Sequence, residues 1–294
     1  MAETFEINSY DEIIRDADEV LAWLESLGVN VVNSRLVDYR ENVRILNDAV
    51  KKGTVADIQG NPSFPMVCDS FFELSVISKI HKKLKDEKAY PPVRRIRLIA
   101  NGPISSLDEK KSSPNRQARD IQFELLTLAM MKNQGMTYKP LLADTDVSGI
   151  FEERPIIMEC KRLWSAKRVK NNIQTGVSQL TAKLNRLPDA NRPVGLLGLD
   201  FTRLVSPPGH LLECASYHDA KRRLDAFVEE SLRLHEHFWS KTLDIRFIGL
   251  VGYLGAVVVL KDRPLLSAGH RFGVIPFCLM NSANFQFLHR LFRN

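Results

Sequence analysis

The stretch Asp144 to Arg162, DTDVSGIFEERPIIMECKR, constrains the fold more than any other part of this 294-residue chain. Pro155 to Met158 is an uncharged run suited to a buried strand, yet Glu159 and Lys161 follow while the chain is still extended. The strand period of two puts Glu159 and Lys161 on one face and Cys160 on the other. With the turn centred between Glu152 and Glu153, Phe151 faces Arg154, Val147 faces Met158, and Asp146 faces Glu159. Direct cross-strand neighbours lie ~5 Å apart at Cβ, so two carboxylates come side by side. Their repulsion needs an offset. A divalent cation provides one, and an oxygen-only donor set without histidine or thiolate favours Mg2+ or Mn2+. Asp144 shares the face but lies one pleat from the pairing.

An acid-x-Lys triplet alone is a weak signal, and the chain holds five. Four of them (from Asp86, Asp108, Glu109 and Asp219) sit in charged helices or loops, where surface composition explains them. Only Glu159-Cys160-Lys161 continues an apolar strand. A further acid, Glu124, falls between Leu128 and Met131 on the wheel of an apolar helix. A lone carboxylate there is costly unless it faces a cation or a donor. The structural alternative is that it reaches the helix edge or pairs with a buried arginine.

Around this hairpin the pattern is α/β. Helical spacing marks Asp11 to Leu27, Leu36 to Lys52 and Phe71 to Lys85, and Val93 to Ala100 alternates as a strand would. Asn101 to Gln117 is polar, with two prolines, and reads as a linker or mobile loop. Ala118 to Lys132 predicts an apolar helix, Tyr138 to Phe151 and Pro155 to Leu163 strands, and Ala166 to Arg186 a long basic helix. Val194 to Phe201 follows as a buried strand, then Ala220 to Trp239 as a charged amphipathic helix. Ile245 to Leu260, interrupted by Gly249, Gly252 and Gly255, is too short and too broken to span a bilayer; it predicts two buried strands around a glycine turn. The division expected is a mainly helical region over 1–113, serving recognition, a partner subunit or a homodimer, and a second domain over 114–294.

Charge distribution adds a partner class. Net charge is +6, and Lys161 to Arg186 holds seven basic residues and no acid. That density beside carboxylates points to a polyanion, nucleic acid above all, with Arg162, Lys167, Arg168, Lys170 and Lys183 as contacts. The opposite bias holds at the start, where Met1 to Glu25 carries eight acids and one arginine. Those acids suit a basic protein surface, or the chain's own basic helix in an autoinhibited state. The four cysteines are scattered, with neither a zinc spacing nor a disulfide framework, which fits a reducing cytoplasm. Neither a leader peptide nor a membrane partner is suggested.

Taken together, Glu124, Asp146, and Glu159 with Lys161 resemble the PD-(D/E)XK superfamily of restriction-endonuclease-like nucleases. The resemblance covers Ala118 to Phe201 and includes the order helix, strand, strand, helix, strand. Thr145 stands where that pattern often has proline. What the resemblance implies is a restriction-endonuclease-like core, a mixed central sheet flanked by helices, that hydrolyses phosphodiester bonds. Asp146, Glu159 and the backbone carbonyl of Cys160 would hold the metal. Lys161 would orient the attacking water, and Glu124 would act in support or on a second metal. A glutamine from the basic helix would complete the site, with Gln179 in its GVSQL context preferred to Gln174. The expected activity is a Mg2+-dependent DNA endonuclease, in a setting such as bacterial or phage defence. The alternatives are a non-catalytic nucleic-acid-binding subunit of the same fold, or a nuclease on RNA or DNA ends.

Other features carry less. His235 and His237 in LHEHFWS read as surface residues, and Ser267-Ala-Gly-His270 as a turn. Gly53 to Gly60 lacks the Lys-Ser/Thr of a phosphate loop. Phe285 to Phe292 reads as a packing helix.

Overall fold

The computed structural model describes residues 5–6, 9–54, 59–87, 92–108, 117–207, 209–235, 244–261, 263–277 and 282–292. A curled, mixed eight-stranded sheet forms its middle. Its strands are β1 (Phe5–Glu6), β2 (Thr137–Tyr138), β3 (Val147–Phe151), β4 (Arg154–Arg162), β5 (Val194–Asp200), β6 (Leu211–Cys214), β7 (Phe247–Leu260) and β8 (Arg263–Pro276). They lie in the order β1-β8-β7-β5-β4-β3-β2, with β6 on β7 beyond the end of β5. The β4, β5 and β7 strands run parallel; β2, β3 and β8 are antiparallel to their neighbours. Buried on both faces, β5 is apolar throughout its VGLLGL run, as a central parallel strand must be.

Helices cover both faces. On one lie α1 (Tyr10–Ser26), α2 (Arg35–Lys52), α3 (Phe64–Leu84), the short α4 (Pro92–Ile96) and α5 (Gln117–Asn133), sharing a core with Val147, Met158, Cys160, Leu196 and Val251. On the other lie α6 (Val169–Leu184) and α8 (Tyr217–Leu234), packed on Ile157, Leu197, Leu199 and Leu250. The one-turn α7 (Thr202–Val205) follows β5, and α9 (Ala283–Leu291) closes the described chain. Local chemistry sets several ends. Ser9 and Glu12 form a reciprocal capping box on α1, and Gly53 ends α2 in the left-handed conformation.

The helical region is not a separate layer of surface charge. Glu73 of α3 receives Arg119 of α5 at 2.7 Å and Gln122 at 2.8 Å, and Gln122 in turn accepts from Arg35 of α2 at 2.8 Å. These groups are all buried, and each carries partners, as burial of charge requires. The acids of α1 pair inside this region, Asp11 with Lys51, Asp16 with Lys82 and Asp18 with Arg40. Among the described residues none of those pairs involves the basic helix, so the autoinhibitory contact is not what these acids make.

Four local expectations are corrected. Tyr138 to Phe151 is not one strand: only Thr137–Tyr138 and Val147–Phe151 are extended and paired, with 139–146 between them. Val93 to Ala100 is not a strand: Pro92 opens a helical turn, and buried Ile96, Ile99 and Ala100 follow helical spacing. Ile245 to Leu260 is not two strands around a turn but the single strand β7. Its glycines mark close approach instead, since a Cβ on Gly252 would lie 3.1 Å from Leu232 of α8. Ser267 to His270 lies inside β8, paired to β7, with His270 fully buried. Part of the polar stretch, 109–116, lies outside the described residues, but Ser106 within it is tied to Asp69. His237 also lies outside them, while His235 stacks on Phe201. No described helix is long and apolar enough to cross a membrane.

Candidate active site

The hairpin sets the geometry. Glu152 and Glu153 both take positive φ (46° and 63°), the two-residue turn that matches strand twist. Phe151 pairs with Arg154 and Val147 with Met158, so the next positions outward are Asp146 and Glu159. The ladder ends there. Asp146 lies just before β3, and its Oδ2 accepts the amide proton of Cys160 at 2.8 Å. A strand residue's N–H and C=O point to the same edge, so the Cys160 carbonyl also faces the gap beside Asp146.

Glu159 is 1% exposed. One of its oxygens lies 3.4 Å from Lys161 Nζ. The other accepts a close hydrogen bond from Lys183 of α6, whose ammonium also reaches the Asp144 carbonyl. Burial, then the charge of Asp146, pushes the Glu159 carboxyl up; the two ammonium groups pull it back. Helix α6 comes this near because of Gly176, where a Cβ would sit 2.6 Å from Leu197 and 3.3 Å from the Lys161 stem.

Glu124 approaches from α5. It pairs with Arg95 of α4 at 3.2 Å. Arg95 also donates to the Thr145 carbonyl at 2.7 Å and to that of Asp146. Burial first, then Asp146, raises the Glu124 carboxyl to about 8. So three acids share one electrostatic environment, with Arg95 joining Glu124 to the backbone at Asp146.

The remaining expected residues separate. Gln179 and Gln174 are exposed on α6 and point away from the sheet face carried by Val169, Ile173, Gly176 and Leu180. Lys183 lies on that inner face and is buried at Glu159, so it is not part of an exposed basic grip. Arg162, on the opposite face of β4 from Lys161, pairs with Asp120 and Asp200. Lys167, Arg168 and Lys170 are exposed at the start of α6, where the first N–H groups have no side-chain cap. Asp144 is exposed and held by Arg186 at 2.8 Å, away from the Asp146–Glu159 pairing.

Sequence reasoning missed Arg95 and the role of Lys183. The signal for Lys183 was present: it falls on the apolar stripe of its helix, seven residues after Gly176. For Arg95 only its setting among helically spaced apolar residues could have served.

Among the described residues no group of three or more His, Cys, Asp or Glu side chains gathers to hold a metal ion. What the hairpin offers is two carboxylates and one carbonyl, an all-oxygen set fitting a hard divalent cation that keeps several waters. Comparison of the chain with family models, with curated proteins and with solved structures returns no match.

Proposed function

We propose that this chain is a metal-dependent nuclease that hydrolyses phosphodiester bonds, acting on DNA as an endonuclease. The observation that carries the reading is the juxtaposition of Asp146 and Glu159 where the β3–β4 ladder ends, with Lys161 on the Glu159 face. Asp146, Glu159 and the Cys160 carbonyl would hold Mg2+ or Mn2+. A cation there supplies charge stabilisation at the phosphate and a lowered pKa for the attacking water.

The chain's own groups do the rest. Lys161 orients the water and offsets charge building on the non-bridging oxygens. Arg95 positions Asp146 by holding its carbonyl and that of Thr145, and keeps Glu124 within reach of the same charge. Lys167, Arg168 and Lys170 are exposed around the start of α6, where their charge and the helix dipole favour phosphate. Contacts of that kind give affinity without sequence preference.

One observation favours a second reading. Both Glu159 oxygens already face ammonium groups, which suits a subunit of the same class that binds nucleic acid without cutting it. The two readings part in one experiment: incubation with plasmid, linear duplex, single-stranded DNA and RNA, in Mg2+ or in chelator. Mg2+-dependent cleavage of DNA supports the nuclease; retention of DNA with no cleavage of any substrate supports the binding subunit.

A further inference from the structure

A cleft of about 90 Å³ opens at the same end of the sheet as Lys161 but on the opposite face. Arg162 and Asp200, paired across β4 and β5, lie in its wall. Helix α5 joins it to the site above, since Gln122 and Phe123 line the cleft and Glu124 follows directly. One water needs roughly 10–15 Å³ in the same measure, so the space admits a small planar ring.

The chemistry of the lining narrows the ligand. Its guanidinium groups are already engaged: Arg119 with Glu73 at 2.7 Å, Arg162 with Asp120 at 3.2 Å, and Arg203 with the Ser106 carbonyl at 3.0 Å. A phosphate would have to break those pairs. Half-buried Phe72 supplies apolar ring surface, and Phe123 and Tyr253, stacked on each other with centroids 5.8 Å apart and 5% and 3% exposed, supply ring edges. Among the described residues Asp69 takes its bonds from Ser105 Oγ, Ser106 N and Ser106 Oγ all on Oδ2, so Oδ1 is the acceptor that Asp69 has left where it lines the cleft. An aromatic wall beside one carboxylate oxygen suits a flat, neutral ring with N–H donors.

We infer that the cleft takes one unpaired nucleobase carrying an exocyclic amine, with its N–H groups on Asp69 and its ring against Phe72, Phe123 and Tyr253. The inference rests on the nuclease reading and names its substrate class: DNA with a base that is single-stranded or turned out of the stack. Extrusion is least costly where the base is already unpaired.

Calorimetry in chelator with dGMP, dCMP, dAMP and TMP tests it without cleavage. The amine-bearing nucleotides should bind at least about tenfold more tightly than TMP, and Asp69→Asn should erase that preference. Ser206→Trp, which puts an indole into the cleft from its lining, should remove binding of all four. Equal binding of all four nucleotides, binding of inorganic phosphate in their place, or no binding by wild type would overturn the inference. Because the metal is absent, the two ideas fail separately. Selectivity without any plasmid cleavage in Mg2+ sinks the nuclease reading alone, and cleavage without selectivity sinks the cleft alone.

Discussion

Asp146 Oδ2 accepts the Cys160 amide proton at 2.8 Å, so a side chain takes the place of the next rung of the β3–β4 ladder. That single bond fixes the Asp146 carboxylate beside buried Glu159 at the sheet's end. It also allows charge to be separated from structure. Asparagine can accept the same proton, so Asp146→Asn should keep the fold and lose Mg2+-dependent cleavage. Asp146→Ala should lose cleavage and in addition about 1–3 kcal/mol of stability, the cost of an unsatisfied buried N–H. Urea unfolding of both variants beside plasmid cleavage checks the pair; equal stabilities would show that the bond contributes nothing.

Glu124 gives a pH signature. Its folded carboxyl, raised to about 8 from an ordinary 4.5, still holds a proton across a window in which the unfolded chain has released it. The folded state therefore binds more protons at Glu124 there, and the stability this group contributes is full below 4.5 and is lost as pH rises through about 8. Glu124→Gln should flatten that decline. Urea midpoints at pH 5 and pH 8 measure it, and parallel pH profiles for wild type and variant would refute the assignment.

Lys183 and Glu159 form a nearly dry pair, with side chains 10% and 2% exposed. Removing one partner of such a pair costs about 3–5 kcal/mol. Lys183→Met should accordingly be strongly destabilised without metal, and Mg2+ should restore more stability to it than to wild type, because a cation replaces the lost charge. Thermal melts with and without Mg2+ decide this. An equal Mg2+ shift in both proteins would contradict it.

The turn offers a gain. Glu152 and Glu153 hold left-handed backbone, costing roughly 1–2 kcal/mol for each non-glycine residue. Replacing them with Asn-Gly suits the turn and gives up only the exposed Glu152–Arg290 pair, worth little at a surface. The double variant should be about 1–2 kcal/mol more stable with cleavage unchanged; a loss of cleavage would mean that the turn residues do more than set register.

Much of the hairpin was legible because a two-residue turn leaves one register, and that register, Phe151 on Arg154 through Val147 on Met158, brings Asp146 and Glu159 to the end of the ladder. Helices α1, α2, α5 and α6 were legible from apolar spacing and their stops. What was not legible depended on contact between distant segments. The glycines of β7 look like turn residues until Leu232 and its neighbours are seen pressing on them. Val93 to Ala100 satisfies alternation and helical spacing together, and only burial of Ile96, Ile99 and Ala100 decides between them. Lys183 reads as one more surface charge until α6, drawn close at Gly176, delivers it to Glu159. Arg95 carries no motif, since its partners are two backbone carbonyls and an acid on another helix.

Among the described residues the Lys161 side chain makes no hydrogen bond or ion pair beyond that with Glu159, so its removal tests the chemistry with little cost to the fold. The most direct measurement is plasmid cleavage in Mg2+ by wild type and by Lys161→Ala, with DNA retention followed on the same samples. Wild type should cut and the variant should not, while both retain DNA with similar affinity. Cleavage by the variant at the wild-type rate would contradict the assignment of the site.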